Sequence, residues 1–350
     1  QNTSKSTVKR FIGSVDLDYK LHFFPDMKLH ATMGTDISEG KGTVYVPLEA
    51  ASNYSTYGLD YGYGPQKNTN RLLTLYANYS KYFEDIKSNV EATAGYDYQY
   101  WKSTTPAYAT LDAKGDILSQ IKASDYRHTL LSYYGRLNYT YDGKYLLTAT
   151  MRRDGTSRFS PDTRWGTFPS VSVGWRFDKE KFFPISHDIV NMFKVRASYG
   201  VLGNENIGEY QYMATMNRNN MTYSFNNTAV TGSAISTYVN NNIAWEKKKT
   251  TNIGVDLAMF NNRVEFTAEW YKNRSEDLLY GVPVPAQAGV SNTSVTMNAA
   301  SMDNSGFEFS ATYRNHDNPL KYDISANLST LKNKVTSLGF GTSKYITGAY

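Results

Sequence analysis

The residues able to do covalent chemistry are few and badly placed for it. Cysteine is absent from the 350 residues, and the five histidines, His22, His30, His128, His187 and His316, are scattered without metal-ligand spacing. No HExxH, GxSxG or phosphate-binding loop pattern occurs. His128 lies near Ser124 and Ser132, which on spacing alone could be a base beside a nucleophile, although a chain this rich in serine produces such neighbours by chance. Asp16 and Asp18 share one side of an alternating segment and could hold calcium, or could be ordinary polar-face residues beside Lys20. Arg152, Arg153, Arg158 and Arg164 surround Gly155 and could clamp an anion, or could hold neighbouring strands through carboxylates such as Asp154 and Asp162. The expectation is a protein that binds and gates, with no enzymatic activity, no cofactor and no metal.

Binding chemistry is better represented. Tyr54, Tyr57, Tyr61, Tyr63, Tyr108, Tyr210, Tyr212, Tyr223 and Tyr238 all fall in long polar segments, where rings with polar tips can stack on sugar faces or clasp peptide backbones. Trp101 and Trp245, at the ends of alternating segments, are the rings best assigned to an aromatic girdle at a membrane interface.

The elements that carry these residues alternate with period two. Val15, Leu17, Tyr19, Leu21 and Phe23 face one way and Asp16, Asp18, Lys20 and His22 the other, which is a strand with one apolar and one polar face. The pattern recurs in pairs. Tyr133 to Tyr141 leads through Asp142-Gly143 into Tyr145 to Met151, and Asp-Gly between alternating runs signals a tight hairpin. Val171 to Phe177 pairs with Phe193 to Tyr199, Ile253 to Met259 with Phe266 to Trp270, and Phe307 to Tyr313 with Tyr322 to Leu328. This gives about twelve strands in about six hairpins. Short turns such as 260–263 and 315–319 alternate with long connections expected at 38–71, 102–125, 153–168, 202–248 and 276–304, and short turns at one rim with long extracellular loops at the other is the topology of an outer-membrane barrel.

Composition agrees with that topology. Tyrosine reaches 30 residues and aromatics 15%, charged residues are 20%, and mean hydropathy is −0.53. No segment approaches the roughly 18 apolar residues of a membrane-spanning helix, whereas barrel strands average out as hydrophilic because apolar and polar positions alternate. A net charge of +5 is too weak and dispersed for nucleic acid. A soluble β-sandwich or adhesive β-protein would also alternate, but with its apolar face buried in a dry core. Several runs exceed the 5 to 6 residues usual in globular strands and suit the roughly 9 to 11 of a tilted membrane strand.

One segment is specific. Arg152-Arg153-Asp154-Gly155-Thr156-Ser157-Arg158-Phe159, followed by Arg164-Trp165-Gly166-Thr167-Phe168-Pro169-Ser170-Val171-Ser172-Val173-Gly174-Trp175, closely resembles the barrel signature of SusC/RagA-like TonB-dependent transporters. Three further blocks follow in order: Val195 to Gly200 with Gly203-Asn204; Trp245-Glu246 through Asn252-Ile253-Gly254-Val255-Asp256 to Arg263; and Asp277-Leu278-Leu279 with Pro283, Pro285 and Gly289. The block from Asn298 keeps Asn304-Ser305-Gly306-Phe307-Glu308, with Ala300 where the family usually has glycine.

The resemblance implies an all-β, antiparallel transmembrane barrel in which these strands are part of a wall of about 22, residues 1–350 forming a partial barrel domain. Nothing in the chain resembles the family's plug, its TonB-contacting N-terminal segment or an export signal, and the end at Tyr350 lacks the usual aromatic-ended last strand; an internal piece is therefore expected. It further implies residence in the outer membrane of a Gram-negative cell, among outer-membrane lipid and lipopolysaccharide, and TonB-dependent import of an oligosaccharide with a SusD-like surface lipoprotein. An oligopeptide importer of the same family, or a self-sufficient twelve-stranded passive channel or barrel hydrolase, are the alternatives. Arg152, Asp154, Gly155, Arg158, Phe159, Trp165, Gly166, Pro169, Gly174, Trp175, Trp245, Glu246, Gly306 and Glu308 would be structural residues of the motif.

Overall fold

Period-two alternation folds into strands that run well past the apolar stretches that announce them. The computed structural model describes residues 2–338 apart from 218–221, 236, 291–292 and 317–318, with the side chains at 52–54, 217, 234 and 286 also undescribed. In chain order the strands are β1 (Thr3–Lys20), β2 (Met27–Val46), β3 (Leu59–Phe83), β4 (Ser88–Thr105), β5 (Tyr108–Leu111), β6 (Ile117–Ile121), β7 (Ser124–Tyr141), β8 (Tyr145–Thr156), β9 (Trp165–Arg176), β10 (Val190–Asn204), β11 (Met216–Asn217), β12 (Thr222–Phe225), β13 (Thr228–Thr231), β14 (Ala234–Ile235), β15 (Glu246–Met259), β16 (Val264–Pro283), β17 (Ser294–Asn315), β18 (Tyr322–Ser329) and β19 (Lys332–Ser337). Among the described residues the only helical turns are three short 3₁₀ segments, and no helix is long and apolar enough to cross a membrane.

The described residues fall into two compact units, one of residues up to 22, 28–77 and 95–132, the other of 23–27, 78–94 and from 133 onward. In the first, neighbouring strands run β1-β2-β3-β4-β7, and β5 pairs with β6 in a separate hairpin. β1 and β2 are antiparallel along their whole length, from Thr3↔Tyr45 to Lys20↔Lys28. In the second, the order is β3-β4-β7-β8-β9-β10-β15-β16-β17, with β18 and β19 end to end along β17.

The short turns form as their residues dictate. Asp142 and Gly143 have φ of 49° and 61°, and the Lys144 N–H donates to the Tyr141 carbonyl at 2.9 Å, so the primed-turn geometry expected of Asp-Gly is present. Phe260, Asn261 and Asn262 also have positive φ, closing β15 onto β16. The expected pairings hold: Val195 sits opposite Trp175, Ile253 opposite Trp270, Phe309 opposite Leu328.

Strand length departs from expectation. β3 has 25 residues and β17 has 22, so the connection expected at 38–71 shrinks to 47–58 and that at 276–304 to 284–293. The reason is visible in the register of β15 to β17. Rows Met259/Val264/Tyr313, Leu257/Phe266/Ala311, Val255/Ala268/Phe309 and Ile253/Trp270/Phe307 are apolar, and the next two on the same face, Thr251/Lys272/Ser305 and Lys249/Arg274/Asp303, are polar. Hydropathy stops alternating there while the hydrogen-bonded ladder continues.

The apolar face is uncovered. Ile253 is 50% exposed, Val173 50%, Phe307 49% and Ile324 60%. A sandwich would bury these side chains; a wall that meets lipid leaves them outward. The polar face closes on itself, with the Arg196 Nε 3.2 Å from Asp256, Arg196 also paired with Glu269, and Arg314 2.9 Å from Glu265.

Candidate functional site

The signature residues Gly155, Phe159, Trp165, Gly166 and Phe168 converge with Trp245 at the base of the long connections in the second unit. β8 ends at Thr156 and β9 begins at Trp165, and between them Phe159 is fully buried. The ring of Trp245, just before β15, is 5% exposed and meets Phe159 edge-on at 5.6 Å and Phe168 at 5.2 Å. Its Nε1–H donates to the Arg164 carbonyl at 2.9 Å, and the Thr163 hydroxyl donates to the carbonyl of buried Ile243 at 2.6 Å. Close approach requires glycine here: a Cβ on Gly155 would lie 2.8 Å from the Trp165 ring, and one on Gly166 or Gly203 would collide with Phe168. Trp245 is thus a core residue of the loop base and not part of an interfacial girdle; its partners lie some 80 residues away in the chain, beyond the reach of periodicity.

Polar groups tie in the remaining connections. The Asn298 side chain accepts from the Ala244 N–H at 2.9 Å and donates to the Ala244 and Asp277 carbonyls at 2.8 and 3.0 Å. Glu246 accepts from the Leu279 N–H at 3.2 Å, across a bulge where Asp277 has φ of 56°. Arg158 donates to Glu209 at 2.9 Å, tethering the segment after β10. Ile243 and Glu209 were not singled out in the sequence, where each is an ordinary loop residue, and Asn298 marks only the start of a family block.

Three of the four arginines are engaged within the chain. Arg152 donates to Asp154 at 2.7 Å, Arg153 lies over the Trp165 ring at 5.3 Å, and Arg158 takes Glu209. The role expected of Asp162 therefore falls to Glu209. Of the other motif residues, Pro169 sits opposite Met151, and Gly174 and Trp175 lie at the far end of β9, where a Gly174 Cβ would be 3.2 Å from Lys194. Glu308 is exposed beside Glu269, and a Cβ on Gly306 would collide with the Thr330 carbonyl.

At the short-turn end, Trp175 and Tyr145 both donate to Glu180, at 3.0 and 2.6 Å. Those hydrogen bonds hold the Glu180 carboxyl below its ordinary 4.5. Asp178, 1% exposed, accepts from Arg176 at 2.8 and 2.7 Å and from the Phe193 N–H at 3.0 Å. Burial opposes its charge, but these donors and the Arg176 charge outweigh burial and keep its carboxyl below the ordinary 3.8.

The tyrosines distribute between the two units. In the first, the Tyr57 ring lies beneath Lys114 Nζ at 3.5 Å, and its carbonyl accepts from Ala113, so the segment before β3 is joined to the β5–β6 hairpin that carries Tyr108. Tyr61 and Tyr63 lie on β3, the Tyr63 hydroxyl against Gly42; the side chain of Tyr54 is outside the described residues. In the second, Tyr210, Tyr223 and Tyr238 are 39%, 56% and 53% exposed, and Tyr212 is half-buried. Trp101 stacks on His128 at 4.8 Å. Asp16 and Asp18 form a chain with His30 and Thr32: His30 contacts Asp18 and Thr32 at 2.7 Å each, and Thr32 donates to Asp16 at 2.6 Å. Among the described residues no group of three His, Cys, Asp or Glu is placed to hold a metal.

Comparison with known proteins follows the same geometry. The family described as TonB dependent receptor-like, beta-barrel matches residues 2–349. The chain is similar to the TonB-dependent receptor SusC of Bacteroides thetaiotaomicron, with 34% identity over 354 residues, covering 96% of this chain and 34% of that protein. It is also similar to the TonB-dependent receptor P39 of Formosa agariphila, 33% identical over 285 residues, 77% of this chain and 27% of the relative. Among solved structures, the RagAB peptide transporter superposes with a TM-score of 0.85 at 24% identity over 99% of this chain and 38% of that one. The siderophore receptor PiuA of Acinetobacter baumannii superposes with a TM-score of 0.55 at 14% identity over 97% of this chain and 48% of that one. The chain thus spans about a third of the length of the curated relatives it matches.

Proposed function

We infer the function from family membership: this chain belongs to the TonB-dependent receptor-like β-barrels and forms barrel wall in the outer membrane. The protein that carries this wall is an energised importer of an oligosaccharide, working with TonB through a plug and with a SusD-like surface lipoprotein at the long-connection rim. The observation that carries the reading is the 34% identity to a TonB-dependent receptor over 96% of the chain, and the tyrosine-bearing connections supply the chemistry. Tyr57, held by Lys114, and the exposed Tyr223 and Tyr238 offer amphipathic rings of the kind that stack on sugar faces. The role is binding and gating without covalent chemistry.

The test is uptake of labelled oligosaccharides, and in parallel of labelled oligopeptides, by cells with and without TonB. TonB-dependent sugar uptake is the expected result. Uptake of peptide alone would replace the substrate and leave the importer, and uptake independent of TonB would refute the importer.

A further inference from the structure

The apolar face of β15, β16, β17 and β19 changes character abruptly on the long-connection side. The last apolar row is Ile253/Trp270/Phe307. Immediately beyond it the same face carries Thr251/Lys272/Ser305/Lys332, then Lys249/Arg274/Asp303/Lys334, then Lys247/Glu276. Six cations therefore stand against two anions, Glu276 and Asp303, in three consecutive rows. The two carboxylates are shared among three of the cations: Arg274 lies 2.9 Å from Glu276 and 3.8 Å from Asp303, Lys272 is 3.4 Å from Asp303, and Lys249 pairs with Glu276. Lys247, Lys332 and Lys334 are exposed, and among the described residues no ion pair is recorded for them. Cations on the face that continues the apolar band, immediately beyond its last row, stand at the height where anionic headgroups begin.

We propose that this patch binds lipopolysaccharide of the outer leaflet, its acyl chains on the apolar rows and its phosphates on Lys247, Lys332 and Lys334. Charge complementarity and continuity with the apolar band both specify an amphiphile whose anionic groups begin where its chains end. The proposal rests on the outer-membrane reading above, with the long connections facing outward, and it needs no particular transport substrate.

The experiment measures binding of phosphorylated lipid A, of its dephosphorylated form and of inorganic phosphate to the full-length barrel, purified from outer membranes and delipidated in detergent. Lys247→Gln/Lys332→Gln/Lys334→Gln is compared with a control triple variant at the opposite strand ends, Lys87→Gln/Lys179→Gln/Lys181→Gln. At low salt the first variant is expected to bind phosphorylated lipid A about 100-fold more weakly, at about fivefold per charge removed, and the control to bind as the wild type does. Dephosphorylated lipid should bind the wild type no better than it binds the variant, and millimolar phosphate should not displace the lipid. Equal affinity for both lipid forms, displacement by phosphate, or a variant that keeps wild-type affinity while retaining the heat-sensitive folded band would overturn the proposal. An uptake assay that fails with sugars leaves this binding measurement readable.

Discussion

Replacing Trp245 by alanine should unfasten the long connections without opening the wall. The indole is 5% exposed, packs edge-on against Phe159 and Phe168, and satisfies the Arg164 carbonyl at 2.9 Å. Removing a buried ring of this size costs about 3–5 kcal/mol. At about 1.4 kcal/mol per tenfold, the population with the 157–164 segment open rises by about 140- to 4,000-fold. Trp245→Phe keeps most of the packing and loses the N–H, a change of about 1 kcal/mol or roughly fivefold. Trypsin reports the difference, because cleavage after Arg158 or Arg164 tracks the open population when reclosing outpaces cutting. Both variants should keep the heat-sensitive mobility of the folded barrel, since the β8–β9 and β15–β16 ladders do not depend on this cluster. An alanine variant cut no faster than the phenylalanine variant would refute the idea that Trp245 closes this base.

Two further outcomes follow from the geometry. Gly306→Ala places a methyl against the Thr330 carbonyl and 2.9 Å from the Tyr271 hydroxyl, an overpacking of about 1–3 kcal/mol; the temperature at which the folded band is lost on a gel should fall, and an unchanged temperature would count against the clash. Asp178→Asn should weaken the barrel at neutral pH but not in acid: the Asp178 carboxyl is held below 3.8 when folded, so its contribution is complete above that value and disappears as pH falls beneath it through the lower folded value. Glu180 acts with the same sign from 4.5. Acid titrations of unfolding for wild type and variant should converge as pH drops, and parallel curves would sink the assignment.

The wall was readable because each hairpin states its own register. Asp142-Gly143 fixes one turn, and the apolar runs on either side meet as their alternation requires, Leu147 opposite Val173 and Val195 opposite Val255. Strand ends were not readable, because Lys249, Lys272 and Arg274 on one face abut polar residues on the other and the period-two signal vanishes while backbone pairing persists. The loop base was half readable. The signature named Trp245 and Phe159 but not their contact, which joins residues far apart in sequence, and Ile243, Asn298 and Glu209 carry no local mark of burial or bonding. Asp178 resembles any acidic residue in a connection until Arg176 and the Phe193 amide are seen around it.

The length of the strands has a mechanical consequence. β16 has 20 residues, about 66 Å at about 3.3 Å each, and tilted by about 40° it rises about 50 Å against an apolar band of about 25 Å. Roughly half of it must then stand clear of the hydrocarbon as cross-braced sheet. A mouth raised on such a collar is stiffened by the continuous β15–β16–β17 ladder. On the proposed importer reading, cargo caught at that mouth is held at arm's length from the bilayer, and a lid has a braced seat to close against.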